Sequence, residues 1–268
     1  MLLIGLKKVT AVVALLVGSL VLPPESEQYK RTVLADKELK PTELLGRYQR
    51  YDFSSLWLKT GKGGMGNSDE SVLGFIGDDY QRLHIKLLTA RPDAQQPGRY
   101  FVTGKTKVKD TVLPFEGTFR LLHVREAAAL PKSLDEAPVP AVKTGILLAE
   151  YELKEPANQS NAGIFKGILR TNWYLDRKGK MHYDDIGSYS DNFSNNQCVG
   201  TWQSYKTKRT KRCNWGDHRI PNGGDLDQGA GEFSPDDKYV ANGWQSYQQA
   251  WSENNARAKQ QEKSAWWK

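Results

Sequence analysis

Phe115-Glu116-Gly117-Thr118-Phe119, Phe165-Lys166-Gly167-Ile168-Leu169 and Val199-Gly200-Thr201-Trp202 repeat one local pattern, a glycine set inside a run of strand-forming residues. Glycine weakens a strand, because it brings no side chain to pack and loses more backbone freedom on folding than any other residue. Its repeated use therefore signals strands that coil sharply or approach another backbone closely. Closing a sheet upon itself creates both needs. Gly46-Arg47-Tyr48 reads as a further instance beside the first expected strand.

Outward from these three runs, short β-type segments continue with turn residues between them. Expected strands cover 45–53, 71–76, 80–89, 99–108, 112–124, 144–154, 163–176, 180–185, 199–206 and 211–219. Gly77-Asp78-Asp79, Arg91-Pro92-Asp93, Pro97-Gly98 and Asp176-Arg177-Lys178-Gly179 supply the turns. Residues 126–142, rich in Ala and Pro, bridge the two halves as a long loop or an internal boundary. No helical pattern interrupts the strands. The expected fold is mainly β, an antiparallel curled sheet or barrel spanning 44–233, with a helical tail over 234–268. That tail opens with Ser234-Pro235-Asp236-Asp237, an N-cap, a first-turn proline and two acids, and later sets Trp244, Tyr247 and Trp251 on one helical face. The layout resembles the lipocalin-type (calycin) barrels, which often carry Gly-x-Trp early and finish with a helix. Here the early position holds Tyr48 and the Gly-x-Trp, Gly200-Thr201-Trp202, comes late, so the likeness is one of architecture.

Lys7 and Lys8 precede an uncharged apolar run from Val9 to Leu22. That is the pattern of a secretory signal, and at about 14 residues it is shorter than the roughly 20 a membrane-spanning helix needs. Residues 1–22 are therefore expected to be a signal peptide or an N-terminal anchor, and both place the rest outside the cytoplasm, secreted or periplasmic. The polar stretch 23–43 reads as a linker. The formal charge of +7 becomes +5 without residues 1–22, which hold two lysines and no acids. This excess is too modest and too dispersed for specific nucleic-acid binding.

Only two cysteines occur, Cys198 and Cys213. In an oxidising compartment they are expected to pair, closing a loop of about 15 residues worth roughly 3 kcal/mol in the chain-entropy model. Around them lies the segment densest in polar and aromatic groups. Trp173, Trp202, Tyr205, Trp215, Asp217, His218 and Arg219 are its candidate ligand contacts. On a strand, 217 and 219 share a face while 218 points away, so Asp217-His218 is no dyad and an Asp217–Arg219 pair is expected. Asp225, Asp227 and Glu232, set among glycines, form a candidate Ca²⁺ loop, although their spacing is not that of an EF-hand. The competing reading is a tight turn whose acids cap backbone N–H groups before the Ser234 helix. Lys206, Lys208, Arg209, Lys211 and Arg212 crowd a hairpin tip that either grips an anionic polymer or surface or merely blocks edge pairing.

These residues lead first to a non-enzymatic binding protein for a small apolar or amphipathic molecule, needing no cofactor unless the acidic loop holds Ca²⁺. Second comes a surface module that binds an anionic polymer, a membrane surface or a partner protein through the basic hairpin and the Trp-containing tail. Third comes a secreted hydrolase using the Asp217–Glu232 segment.

Overall fold

The computed structural model describes residues 22–58, 72–131 and 139–268. Its strands are Leu73–Ile76 (β1), Gln81–Pro92 (β2), Arg99–Val108 (β3), Thr111–Glu126 (β4), Ala141–Lys154 (β5), Gly163–Asp176 (β6), Met181–Tyr183 (β7), Asn195–Ser204 (β8) and Thr210–Asp217 (β9). All pairings are antiparallel, in the order β5-β4-β3-β2-β1-β9-β8-β6-β7, and β5 also pairs with β6. The sheet therefore closes in a ring, with β7 attached to β6 alongside it.

Glycines make the closure sterically feasible. Gly167 and Gly200 face each other across β6 and β8, and Tyr151 of β5 is the register partner of Gly167. A Cβ on Gly200 would overlap both the Lys166 carbonyl and the Tyr151 hydroxyl. The paired glycines leave the groove into which this phenol folds, which is the close approach that the repeated pattern signalled.

Most of the ring interior is filled. Phe115, Phe119, Tyr151, Phe165, Leu169, Trp173, Cys198, Cys213 and Trp215 belong to one buried cluster. One end is plugged by two short helices, Leu45–Tyr48 (α2) and Ser54–Leu58 (α3), where a first strand was expected. Their apolar residues sit at helical spacing, Leu45 with Tyr48 and Phe53 with Leu56 and Trp57. Asp52 accepts from the Ser54 amide and hydroxyl at 2.9 and 2.6 Å, fixing the α3 start. The alternation in 45–53 was misleading because both periods fit so short a run.

Two further layers cover the outside. Pro24–Leu34 forms a helix (α1) in the stretch read as a linker, with Glu25 and Glu27 in its first turn. Ser26 is fully buried and donates to the Val199 carbonyl at 2.8 Å, while Val33 packs on Ile146, Leu148 and Ile168. This explains the apolar run 145–149 in β5, which is buried on both faces. On the opposite side, the tail covers β1 and β2. Leu73, Phe75 and Tyr80 meet Leu226, Phe233 and Trp244, and helices Gln245–Trp251 (α4) and Ala256–Glu262 (α5) follow. Ser234 does not start a helix. The first turn there is a 3₁₀ segment, Asp237–Asn242, capped by Asp236 through the Lys238 amide. The terminal Trp266 and Trp267 dock on β2, against His84 at 5.7 Å and over Lys86 at 4.8 Å.

Candidate functional site

Inside the ring beneath α3 lies a cavity of about 50 Å³. Trp57 and Leu58 of α3, Val72, Ile85 and Leu87 of β2, Phe119 of β4, Leu153 of β5, Leu169 of β6 and Trp215 of β9 supply its apolar wall; Cys198, Asn196, Asp217 and Lys86 also border it. Trp57 is set edge-on to Tyr100 and Phe119 at 4.8 and 5.0 Å. Its indole donates to Thr171 Oγ1 at 3.1 Å. A hydroxyl partner inside the ring thus satisfies the buried N–H and orients the ring plane.

From Thr171 a polar chain crosses the wall. Thr171 donates to Asn196 Oδ1 at 2.9 Å, and Asn196 Nδ2 donates to Asp217 Oδ2 at 2.9 Å and to the Leu56 carbonyl at 3.1 Å. Tyr183 of β7 donates to the same Asp217 oxygen at 3.0 Å. Asn196 occupies the left-handed region at φ 45° within a β-bulge between Asn195 and Cys198, which aims its amide inward. Asn195 anchors the bulge through the Asn172 amide and carbonyl at 2.7 and 3.0 Å. A carboxylate and an amide therefore sit beside an otherwise apolar wall, an arrangement that receives a slender apolar group and orients a polar atom next to it.

Of the expected contacts, Trp215 and Asp217 line this cavity and the others lie elsewhere. Trp173 is buried core, 4.9 Å from Tyr48. Trp202 donates to Glu155 at 3.1 Å near the opposite end of the ring, where Thr106 and the Gly163 amide also bind that carboxylate at 2.6 and 2.8 Å. Burial lifts Glu155 above the usual carboxylate range, against those three hydrogen bonds. Tyr205 is half-buried at the β8–β9 turn. His218 packs edge-on to Phe193 at 4.9 Å.

The expected Asp217–Arg219 pair is not formed. Strand β9 stops at Asp217 and His218 turns the chain at φ 65°, so the shared strand face never extends to 219. Arg219 instead binds Asp227 at 2.5 Å and the carbonyls of Gly229, Ala230 and Gly231 at 3.0, 3.2 and 2.7 Å. The other Asp227 oxygen caps the amides of Gly229 and Ser234. Asp225 binds Lys238 and Tyr239 at 2.6 and 3.0 Å, and Glu232 is exposed. Among the described residues no group of three His, Cys, Asp or Glu is placed to hold a metal ion. This segment has the geometry of the tight, amide-capping turn.

Cys198 and Cys213 are free, buried thiols rather than the expected disulfide. The register sets Cys198 opposite Trp215 and Cys213 opposite Gly200, so the two are diagonal neighbours rather than a facing pair. Burial pushes both thiols well above their ordinary range.

Several wall residues escaped the sequence reading. Trp57 lies just beyond the expected strand 45–53, where no element was expected, and Ile85, Leu87, Phe119, Leu153 and Leu169 are ordinary inward positions on four strands, β2, β4, β5 and β6. Their alternation was legible, but nothing local shows which of many inward residues border a void. No family model, no curated protein and no solved structure matches this chain.

Proposed function

We propose that the chain is a non-enzymatic, extracytoplasmic binding protein whose closed, lipocalin-like β-ring takes the end of a small apolar or amphipathic molecule. The observation that carries this reading is the cavity under α3, where Trp57, Trp215, Phe119 and Leu169 surround a space edged by Asn196 and Asp217. Its size sets the ligand. At about 50 Å³ it accepts a few heavy atoms, such as a chain terminus, well below the several hundred Å³ that enclose a whole drug-sized molecule. The extracytoplasmic placement rests on the apolar run behind Lys7 and Lys8, which, apart from Leu22, lies outside the described residues. The hydrolase reading finds less support. Asp217 faces the cavity, whereas Asp225 and Asp227 are engaged by Lys238 and Arg219 beyond the end of β9.

Native mass spectrometry of the full chain recovered from its own compartment, set against the same sample denatured, tests this. A discrete added mass that leaves on denaturation is expected. The same mass should be absent from Leu169→Phe, which fills the cavity and should keep its melting temperature within about 5 °C of the parent. A bare chain that also gains no thermal stability from a panel of alkyl amines, alcohols and acids would overturn the reading.

A further inference from the structure

The ring end opposite α3 is built from four chain reversals. Gly77–Tyr80 joins β1 to β2, Lys109-Asp110 joins β3 to β4, residues 155–162 join β5 to β6, and Tyr205–Arg209 joins β8 to β9. Lys206, Lys208, Arg209 and Lys211 are all exposed at the last of these, with no acid between Ser204 and Arg212. None of the four forms an ion pair among the described residues, in contrast to Lys154 and Lys166 nearby, which share Glu152. Arg212, the fifth cation of this run, leaves the tip. It lies over the rings of Phe75 and Tyr80 and donates to the Asn222 carbonyl at 2.9 Å. Lys107 and Lys109 add charge at the same end, against the exposed acids Asp78, Asp79 and Asp110.

The fold leaves little of one ordinary reason for such a tip. Cations guard open sheet edges against pairing with other chains. Here β8 pairs with β6 and β9, and β9 pairs with β8 on one side and with β1 over 213–216 on the other, so the open edge is confined to the Thr210–Lys211 end of β9. Of the aromatic groups expected to help grip a single-stranded or sugar polymer, Tyr205 alone stays at the tip, and it is half-buried. Trp215 faces the cavity and Trp202 is tied to Glu155, so successive rings on which a polymer would stack are not set beside the cations. Exposed point charges spread over the turns at one end of a ring suit a flat anionic surface better than a threaded chain. We propose that this end of the ring docks electrostatically on a bilayer rich in anionic phospholipid, with the β8–β9 tip as its principal contact. Each lysine or arginine near such a surface strengthens binding by about fivefold, so four acting together reach roughly two to three orders of magnitude at low salt.

The test uses the full chain with vesicles of phosphatidylglycerol and phosphatidylcholine, and with phosphatidylcholine alone. Hydrogen exchange at residues 204–211 reads the tip directly, so insertion of the apolar residues 9–22 does not imitate the signal. Anionic vesicles should slow exchange there and neutral vesicles should not, and about 0.5 M salt should abolish the difference. A variant carrying K206Q, K208Q, R209Q and K211Q should need at least about tenfold more anionic lipid for half-binding. A control with R31Q, K37Q, R177Q and K178Q has the same net charge and should bind like the parent; its four positions are exposed and remote from this end. Equal losses in the two variants, or no preference for anionic lipid, would overturn the proposal. So would tip protection by soluble polyphosphate but not by vesicles, which would assign the tip to a polymer.

Discussion

Tyr151 lays its hydroxyl over Gly167 and Gly200, fully buried and, among the described residues, with no hydrogen-bond partner. Desolvation there lifts its ionisation well above the ordinary phenol range. What holds the residue is shape. Its ring lies 5.0 Å from Trp215, and Gly167 and Gly200 make room for the hydroxyl. Two substitutions separate the contributions. Tyr151→Phe removes a polar atom left unsatisfied and should be neutral or stabilising by up to about 1 kcal/mol in urea denaturation. Gly200→Ala should destabilise by more than about 2 kcal/mol, because the new methyl meets the Lys166 carbonyl as well as the phenol. If Gly200→Ala is tolerated, the glycine pair is not what permits closure. The glycines were visible in the sequence as an irregularity shared by three strands, but Tyr151 was not. Nothing in Ala149-Glu150-Tyr151-Glu152 distinguishes a tyrosine aimed at two glycines from any other inward aromatic.

At the scale of elements, the C-terminal tail is fastened to β2 by a buried ion pair. Arg82 and Glu262 form a two-pronged contact at 2.9 and 2.5 Å, with side chains only 3% and 5% exposed. The guanidinium also lies 5.0 Å from the Trp244 ring and 5.4 Å from Tyr247, and Ser246 hydrogen-bonds to the carboxylate. Burial alone would raise Glu262, but Arg82 and Ser246 outweigh it and hold the carboxyl below its ordinary value. Beside them His84 is held neutral, its ionisation pushed down to about 3 by burial first and by Arg82 second. Removing one partner leaves the other charge buried. Glu262→Ala should therefore cost about 3–5 kcal/mol and speed hydrogen exchange across α4 and α5, whereas Arg82→Met with Glu262→Met together should recover most of the loss. A single-site cost below about 1 kcal/mol would mean that the tail is held by Trp244 and Phe233 instead. Of the aromatic face expected from spacing, Trp244 and Tyr247 pack on the body while Trp251 stays exposed. The tail's docking site was not legible, because Arg82 and Glu262 are separated by 180 residues and neither is unusual in its local setting.

For the molecule as a whole, Glu126 joins three segments that the chain brings together only on folding. Tyr48 of α2 and Lys143 of β5 donate to one of its oxygens, each at 2.7 Å, and Lys40 binds the other at 3.1 Å. Burial would raise this carboxyl, yet the hydrogen bonds from Lys143, Tyr48 and Lys40 together bring it down to about 2 from an ordinary value of 4.5. A depressed carboxyl stabilises the fold in full above its unfolded value, and that share is lost as pH falls from about 4.5 through about 2. Acid titration of the unfolding free energy should show this decline. Glu126→Gln should start on the order of 2 kcal/mol lower at pH 7 and flatten the decline, with α2 and α3 exchanging first. An unchanged acid limb in Glu126→Gln would place the acid sensitivity elsewhere.

By itself the sequence located β1 to β9, with a tenth strand expected at 45–53 that is helical, and it gave the turns between them and the need for tight curvature, because two-residue alternation, turn chemistry and glycine placement are local properties. For the acidic loop it offered two readings, a cation site and an amide-capping turn, and the geometry of the second is seen at Asp227, which binds the Gly229 and Ser234 amides. Only the tertiary structure decided that the sheet closes, that 24–34 is a docked helix, that 45–58 plugs the ring, and that Cys198 and Cys213 lie diagonally rather than face to face. Those outcomes depend on register and on which apolar faces meet. A single residue of register moves every side chain of a strand to the other face, and no local pattern of residues records it.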